Sequence, residues 1–300
     1  MLPDINNLLE QLSTVPSLYY SLLLIIGLLI GSFLNVVIFR IPKMMEQEFR
    51  SECCDFLTIN DEKITQSKGK TITLSTPNST CPSCQTPIKP WHNIPVISYL
   101  FLRGKCATCK THISIRYPII EVITGLLSVL TIYFLGFNGA GLIALVLLWS
   151  LICLTMIDFD TQLLPDNMTL PLLWLGLIAN SFGLYTSLED ALWGAIFGYL
   201  SLWSVFWLFK IVTGKEGMGY GDFKLLAALG AWMGWQFLPL IILLSSLVGA
   251  VIGIAGIIIL GRNKNIPIPF GPYLAIAGWI AFIWGEQIIA YYFQYIGLAV

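Results

Sequence analysis

Two aspartates stand out in a sequence with few charges. Asp158 lies in Met156-Ile-Asp-Phe-Asp-Thr-Gln-Leu-Leu-Pro-Asp166 and Asp222 in Gly219-Tyr-Gly-Asp-Phe-Lys224, each beside a long apolar run. Ionisable groups within or at the ends of such runs are expensive to keep and mark functional sites by default. Two carboxylates held close together cannot both ionise cheaply, so they share a proton; one then acts as base on a water while the other acts as acid. That is the chemistry of an aspartic peptidase. The Asp-Thr-Gly or Asp-Ser-Gly signature of the soluble enzymes does not occur, so the pair would be a membrane-embedded version. Gly219 and Gly221 lack a Cβ and let an extended peptide approach a carboxylate closely. With Lys224 just beyond, they are the candidate substrate-binding residues.

Each aspartate also has an ordinary reading. Asp222 alone fits a helix N-cap with the glycines as a turn, and Asp158 alone fits a solvated helix end. Asp160 and Asp166 read as loop or cap residues, with Asp166 capping the helix that follows. A proton-coupled transporter would also keep carboxylates in its helices. It should show internal repeats or helices broken near mid-membrane, and no clear repeat is visible.

A second constellation is made of thiols. Cys81-Pro-Ser-Cys84 and Cys106-Ala-Thr-Cys109 are two C-x2-C knuckles with 21 residues between them, close to the spacing of a four-thiolate zinc site. Four thiolates leave no open coordination position, so the metal would be structural. His92 and His112 are nearby rival ligands that read better as surface or packing residues. Adjacent Cys53 and Cys54 cannot easily share one metal, and Cys153, in an apolar run, reads as a small buried hydrophobe. Ser67-Lys-Gly-Lys-Thr71 ends like a phosphate-binding loop, but Ile64 stands where a glycine is required.

The elements that must position these residues follow from composition. The 300 residues are 56% hydrophobic and 11% charged, against roughly 25% charged in soluble chains. This predicts an all-α polytopic membrane protein, with membrane lipid around it. Sixteen basic against 17 acidic residues leave no basic field for nucleic acid. A spanning helix needs roughly 20 apolar residues; the first is predicted from Leu18 to Phe39, and the chain is almost continuously apolar after Pro118. Breaks at 136–141, 158–167, 183–190, 210–221, 234–237 and 261–272 give about eight transmembrane helices, the piece from Asp222 to Met233 being short for a span. Eleven basic residues fall between Arg40 and Arg116; the others are Lys210, Lys215, Lys224, Arg262 and Lys264. Eight helices put all of them on one side, the cytoplasm by the positive-inside rule. That side is reducing, which disfavours disulfides between the knuckles. It also carries Asp158 and Asp222. The predicted organisation is a periplasmic N-terminus and first helix over 1–40, a cytoplasmic zinc-binding loop over 41–117, and a seven-helix peptidase core over 118–300.

These segments together resemble the bacterial type IV prepilin peptidases, the leader peptidase and N-methyltransferase family of membrane aspartic peptidases with a Gly-x-Gly-Asp motif. The likeness is carried by Gly31-Ser-Phe-Leu-Asn-Val-Val-Ile-Phe-Arg-Ile-Pro42, the Cys81 to Cys109 loop with Asn93-Ile-Pro95 and Arg103-Gly-Lys-Cys106, Ser114-Ile-Arg-Tyr-Pro118 with Glu121, Asp158 to Asp166, and Gly219 to Asp222 with Lys224. It implies an inner-membrane enzyme that cleaves the leader of type IV prepilins, or of type II secretion pseudopilins, after Gly on the cytoplasmic side. It also implies N-methylation of the new terminus with S-adenosylmethionine, Asp158 and Asp222 as the catalytic pair, and Cys81, Cys84, Cys106 and Cys109 as Zn²⁺ ligands. Many members have His where Thr161 stands. No Gly-rich strand-to-helix turn marks a methyl-donor site; Asn35, Arg40 and Glu121 are the residues to inspect, and a structural role suits them equally.

Overall fold

The computed structural model describes residues 16–57, 72–260 and 269–297. Ser67 to Thr71, Arg262 and Lys264 lie outside the described residues. Helices dominate and, among the described residues, only two isolated β-bridges occur. The helices are α1 (Pro16–Leu57), α2 (Ile97–Phe101), α3 (Arg116–Leu135), α4 (Gly139–Thr161), α5 (Asp166–Ser181), α6 (Leu188–Thr213), α7 (Tyr220–Met233), α8 (Leu238–Leu260) and α9 (Gly271–Tyr295). Among the described residues, eight of these helices have 14 residues or more, where the breaks predict about eight transmembrane helices. Six helices among the described residues are long and apolar enough to cross a membrane; α5 and α7 fall short of that length. The first helix continues 18 residues past the predicted end at Phe39, because Met44 to Phe49 are good helix formers and Pro42 falls where the apolar run ends.

The chain forms two compact units, residues 1–136 and 137–300. In the first, α1 packs on α3 through the small-residue pair Gly27 and Gly31: a Cβ at Gly31 would lie 2.7 Å from the Glu121 Cα. Buried polar groups tie these helices to each other and to the intervening loop. Arg40 donates to the Thr73 and Pro77 carbonyls at 2.7 and 2.6 Å, and Asn35 donates to those of Gly31 and Tyr117, both at 3.2 Å. Glu121 Oε2 accepts from the Val96 N–H at 2.8 Å, holding a β-branched residue at φ +57°.

In the second unit α7 is the centre. Every residue from Asp222 to Met233 except Lys224 is buried, as a helix apolar on all sides must be. It packs against α5, α6 and α9. Gly194 and Gly198 of α6 bring that backbone against α7: a Cβ at Gly198 would lie 2.7 Å from the Leu226 carbonyl oxygen, and Gly194 touches Gly230 directly. The far end of α7 is closed by Asn180, which donates to the Ala231 and Trp232 carbonyls at 2.8 and 3.1 Å while accepting from the Tyr185 and Thr186 amides. A 14-residue helix is thus held by protein on all sides with its polar end groups matched.

Candidate active site and metal centre

Asp158 sits in the last turn of α4 and is 5% exposed. Its Oδ2 accepts the N–H of Gly271, at the start of α9, at 2.9 Å. Helix α4 ends at Gln162 in the left-handed region, φ +56°, and the chain turns through Leu163, Leu164 and Pro165 into α5. Asp222 is 7% exposed and lies in the first turn of α7. The N-cap of that helix is Gly219, not Asp222; the Asp222 N–H bonds the Gly219 carbonyl at 3.3 Å. Leu164 joins the two positions. A Cβ at Gly221 would lie 2.6 Å from the Leu164 Cβ, and one at Gly271 would lie 3.2 Å from the Leu164 Cδ1 and 2.7 Å from the Asp158 Oδ2. Asp158 and Asp222 therefore face one small region and lie within electrostatic reach of each other.

The neighbouring residues are differently employed. Gly221 is filled by Leu164, whereas a Cβ at Gly219 would meet only the Asp222 Oδ2, at 3.8 Å. Gly219 is exposed and keeps open space beside the carboxylate. Lys224 places Nζ 2.7 Å from both Asp166 carboxylate oxygens, tying α7 to the start of α5. Asp166 is thus not the cap of α5: Pro165 holds the N-cap position and the Asp166 carboxylate turns to Lys224.

In the first unit the two knuckles repeat one local geometry. Cys81 N–H donates to the Thr86 carbonyl and Gln85 N–H to that of Cys81; Cys106 N–H donates to the Thr111 carbonyl and Lys110 N–H to that of Cys106. Gln85 and Lys110 share φ near +57° and +59°. The four Sγ atoms all lie within 4.8 Å of one another, Cys81 and Cys109 at 3.7 Å. Tetrahedral Zn–S bonds of about 2.3 Å require S···S separations of about 3.8 Å. The Thr111 hydroxyl and amide beside Cys109 pull its thiol down to about 6, and the Thr86 pair lowers Cys84. The cluster can hold a metal ion through its cysteines, without His92 or His112.

Residues 25–135 match the bacterial peptidase A24 N-terminal domain, and residues 145–254 match the type IV leader peptidase family. The chain belongs to the type IV leader peptidase family. It is similar to proteins named prepilin leader peptidase/N-methyltransferase: 56% identical to that of Pseudomonas aeruginosa over 97% of this chain and 99% of the relative. The one from Aeromonas hydrophila is 53% identical over 95% and 97%, and that of Neisseria gonorrhoeae 47% over 93% and 96%. No solved structure matches.

Within this leader peptidase family member, the structure brings together Asp158, Asp222 and Gly219, and separately the four cysteines. Gly221 and Lys224 face protein neighbours. Cys153 is buried, as its apolar setting suggests. Sequence reasoning missed Gly271 and Leu164, which carry no charge. The one local signal was Pro269-Phe-Gly-Pro272, a Gly-Pro pair opening an apolar run.

Proposed function

We propose that this multi-pass membrane protein is an aspartic endopeptidase that removes the leader of type IV prepilins or type II secretion pseudopilins and then N-methylates the new terminus. The observation that supports it is a pair of buried carboxylates, Asp158 and Asp222, within electrostatic reach of each other, with the exposed Gly219 beside Asp222. One aspartate, ionised, takes a proton from a water whose oxygen attacks the carbonyl carbon of the scissile Gly. The other, protonated, polarises the carbonyl oxygen; the C–N bond then breaks and the departing amine receives a proton from the pair. As a coupled pair they titrate together. An extended leader crossing Gly219 can come near Asp222.

Cleavage on the cytoplasmic side is supported by the grouping of all sixteen basic residues on the predicted face of Asp158 and Asp222. The same placement, at helix ends rather than mid-membrane, speaks against a transporter. For the metal, four thiolates with tetrahedral spacing favour zinc in a closed structural site, bound through Cys81, Cys84, Cys106 and Cys109. It would organise the loop and take no part in hydrolysis. N-methylation is supported by family membership, with S-adenosylmethionine as the proposed donor. Asn35, Arg40 and Glu121 do not fit a donor cradle, since Asn35 bonds helix backbone and Arg40 and Glu121 hold loop backbone, and no residue is assigned to the donor.

The test uses purified protein, a prepilin-like peptide, and the Asp158→Asn and Asp222→Asn variants. Each variant should lose cleavage; normal turnover by either one sinks the pair. Labelled S-adenosylmethionine in the wild-type reaction should mark the new N-terminus, and unlabelled product would remove the second activity.

A further inference from the structure

We propose that the start of α9 is the third wall of the active site and that Gly271 is a positioning residue whose backbone N–H orients Asp158. This rests on the Asp158/Asp222 reading above. The hydrogen bond, 2.9 Å from Gly271 N to Asp158 Oδ2, is buried and joins residues 113 apart in sequence.

The local chemistry of the helix start leaves this amide for the carboxylate. A helix begins with amides that have no partner inside it. In α9 the next residue, Pro272, has no N–H, and the amides of Tyr273 and Leu274 both turn inward to the Phe270 carbonyl at 3.1 Å. The Gly271 amide therefore points out of the helix at the one buried carboxylate that reaches it. Pro272 fixes its own φ and holds the first turn in helical form before any substrate arrives. The partial positive charge of a helix N-terminus also suits a carboxylate there.

Position 271 must also lack a side chain. A Cβ there would lie 2.7 Å from Asp158 Oδ2, 3.2 Å from its Cγ and 3.2 Å from the Leu164 Cδ1. Alanine would push the carboxylate away from the amide that holds it, and with it the geometry toward Asp222. Displacement of a catalytic group by about 1 Å lowers turnover by up to about 100-fold. Peptide binding along Gly219 involves other atoms.

The test compares wild type, Gly271→Ala, Leu164→Ala and the double variant in cleavage of a prepilin-like peptide, with Gly139→Ala as a handling control because a Cβ there meets nothing within 4 Å. Gly271→Ala should lower kcat by about 10- to 100-fold with KM within about twofold. The double variant should stay as low, since removing Leu164 relieves one contact and leaves the clash with Asp158. Wild-type kcat in Gly271→Ala, or full recovery in the double variant, overturns the proposal. If Gly271→Ala does not fold, hydrogen exchange at the Gly271 amide decides. It should be protected in wild type and at least about tenfold faster in Asp158→Ala, where the acceptor is gone; equal exchange overturns the assignment. Retained cleavage by Asp158→Asn would instead bring down the catalytic pair while the exchange result still reports the bond.

Discussion

At the scale of single residues, the chemistry divides between local patterns and long-range meetings. A C-x2-C turn places two sulfurs on one metal by its own geometry, so the spacing of Cys81, Cys84, Cys106 and Cys109 was enough to predict their cluster. Asp158 was visible for a different reason, as a charge in an apolar run. Nothing in the sequence connects it to Gly271, an uncharged residue 113 positions away. In the proposed mechanism loss of either aspartate removes the base or the acid, so Asp158→Asn and Asp222→Asn should each lower kcat by about 1,000-fold or more with the protein still folded. Peptide cleavage read beside thermal unfolding separates this from misfolding. The thiols give a pH prediction. Thr111 lowers the Cys109 thiol to about 6 in the metal-free site, so the thiolate is present at neutral pH and metal affinity weakens as pH falls below that value. Thr111→Val should raise the thiol, so that acid titration with a zinc indicator shows release at higher pH than in wild type.

At the scale of helices, α7 explains why a segment too short for a comfortable span is still a helix. It is enclosed by α5, α6 and α9, and its end carbonyls are received by Asn180. Asn180→Ala leaves two buried carbonyls without this donor and should destabilise the second unit by about 1–3 kcal/mol, measured by unfolding in detergent. The Gly194-x-x-x-Gly198 spacing was in the sequence and is a recognised helix-contact pattern, yet only the structure shows Gly194 against Gly230. Gly194→Leu should separate α6 from α7 and lower both stability and cleavage, because Asp222 is carried on α7. Lys224 belongs to this scale too. Its pair with Asp166 is partly exposed, at 26% and 57% of the side chains, so Lys224→Met should cost at most about 1 kcal/mol. Asp166→Asn should match it, with KM unchanged in both. A raised KM in Lys224→Met alone would return the lysine to substrate binding.

At the scale of the whole molecule, the two compact units carry separate chemistry, a thiol cluster in residues 1–136 and a carboxylate pair in 137–300. Metal removal by a strong chelator should loosen residues 79–113, seen as faster hydrogen exchange there, while α4 to α9 keep their protection. Uniform loosening across both units would show that the cluster supports more than its own loop.

Composition determined the membrane class and the division of the chain into long apolar helices, because lipid excludes charge, and the placement of basic residues is the ground for expecting Asp158 and Asp222 on one face. Cysteine spacing determined the metal cluster, because its geometry is local. Tertiary structure alone decided that Gly219 is the N-cap in place of Asp222, that Lys224 and Asp166 pair, and that Gly271 bonds Asp158 beside Leu164. Those are contacts between segments distant in sequence, and uncharged residues in an apolar chain leave no pattern by which to foresee them.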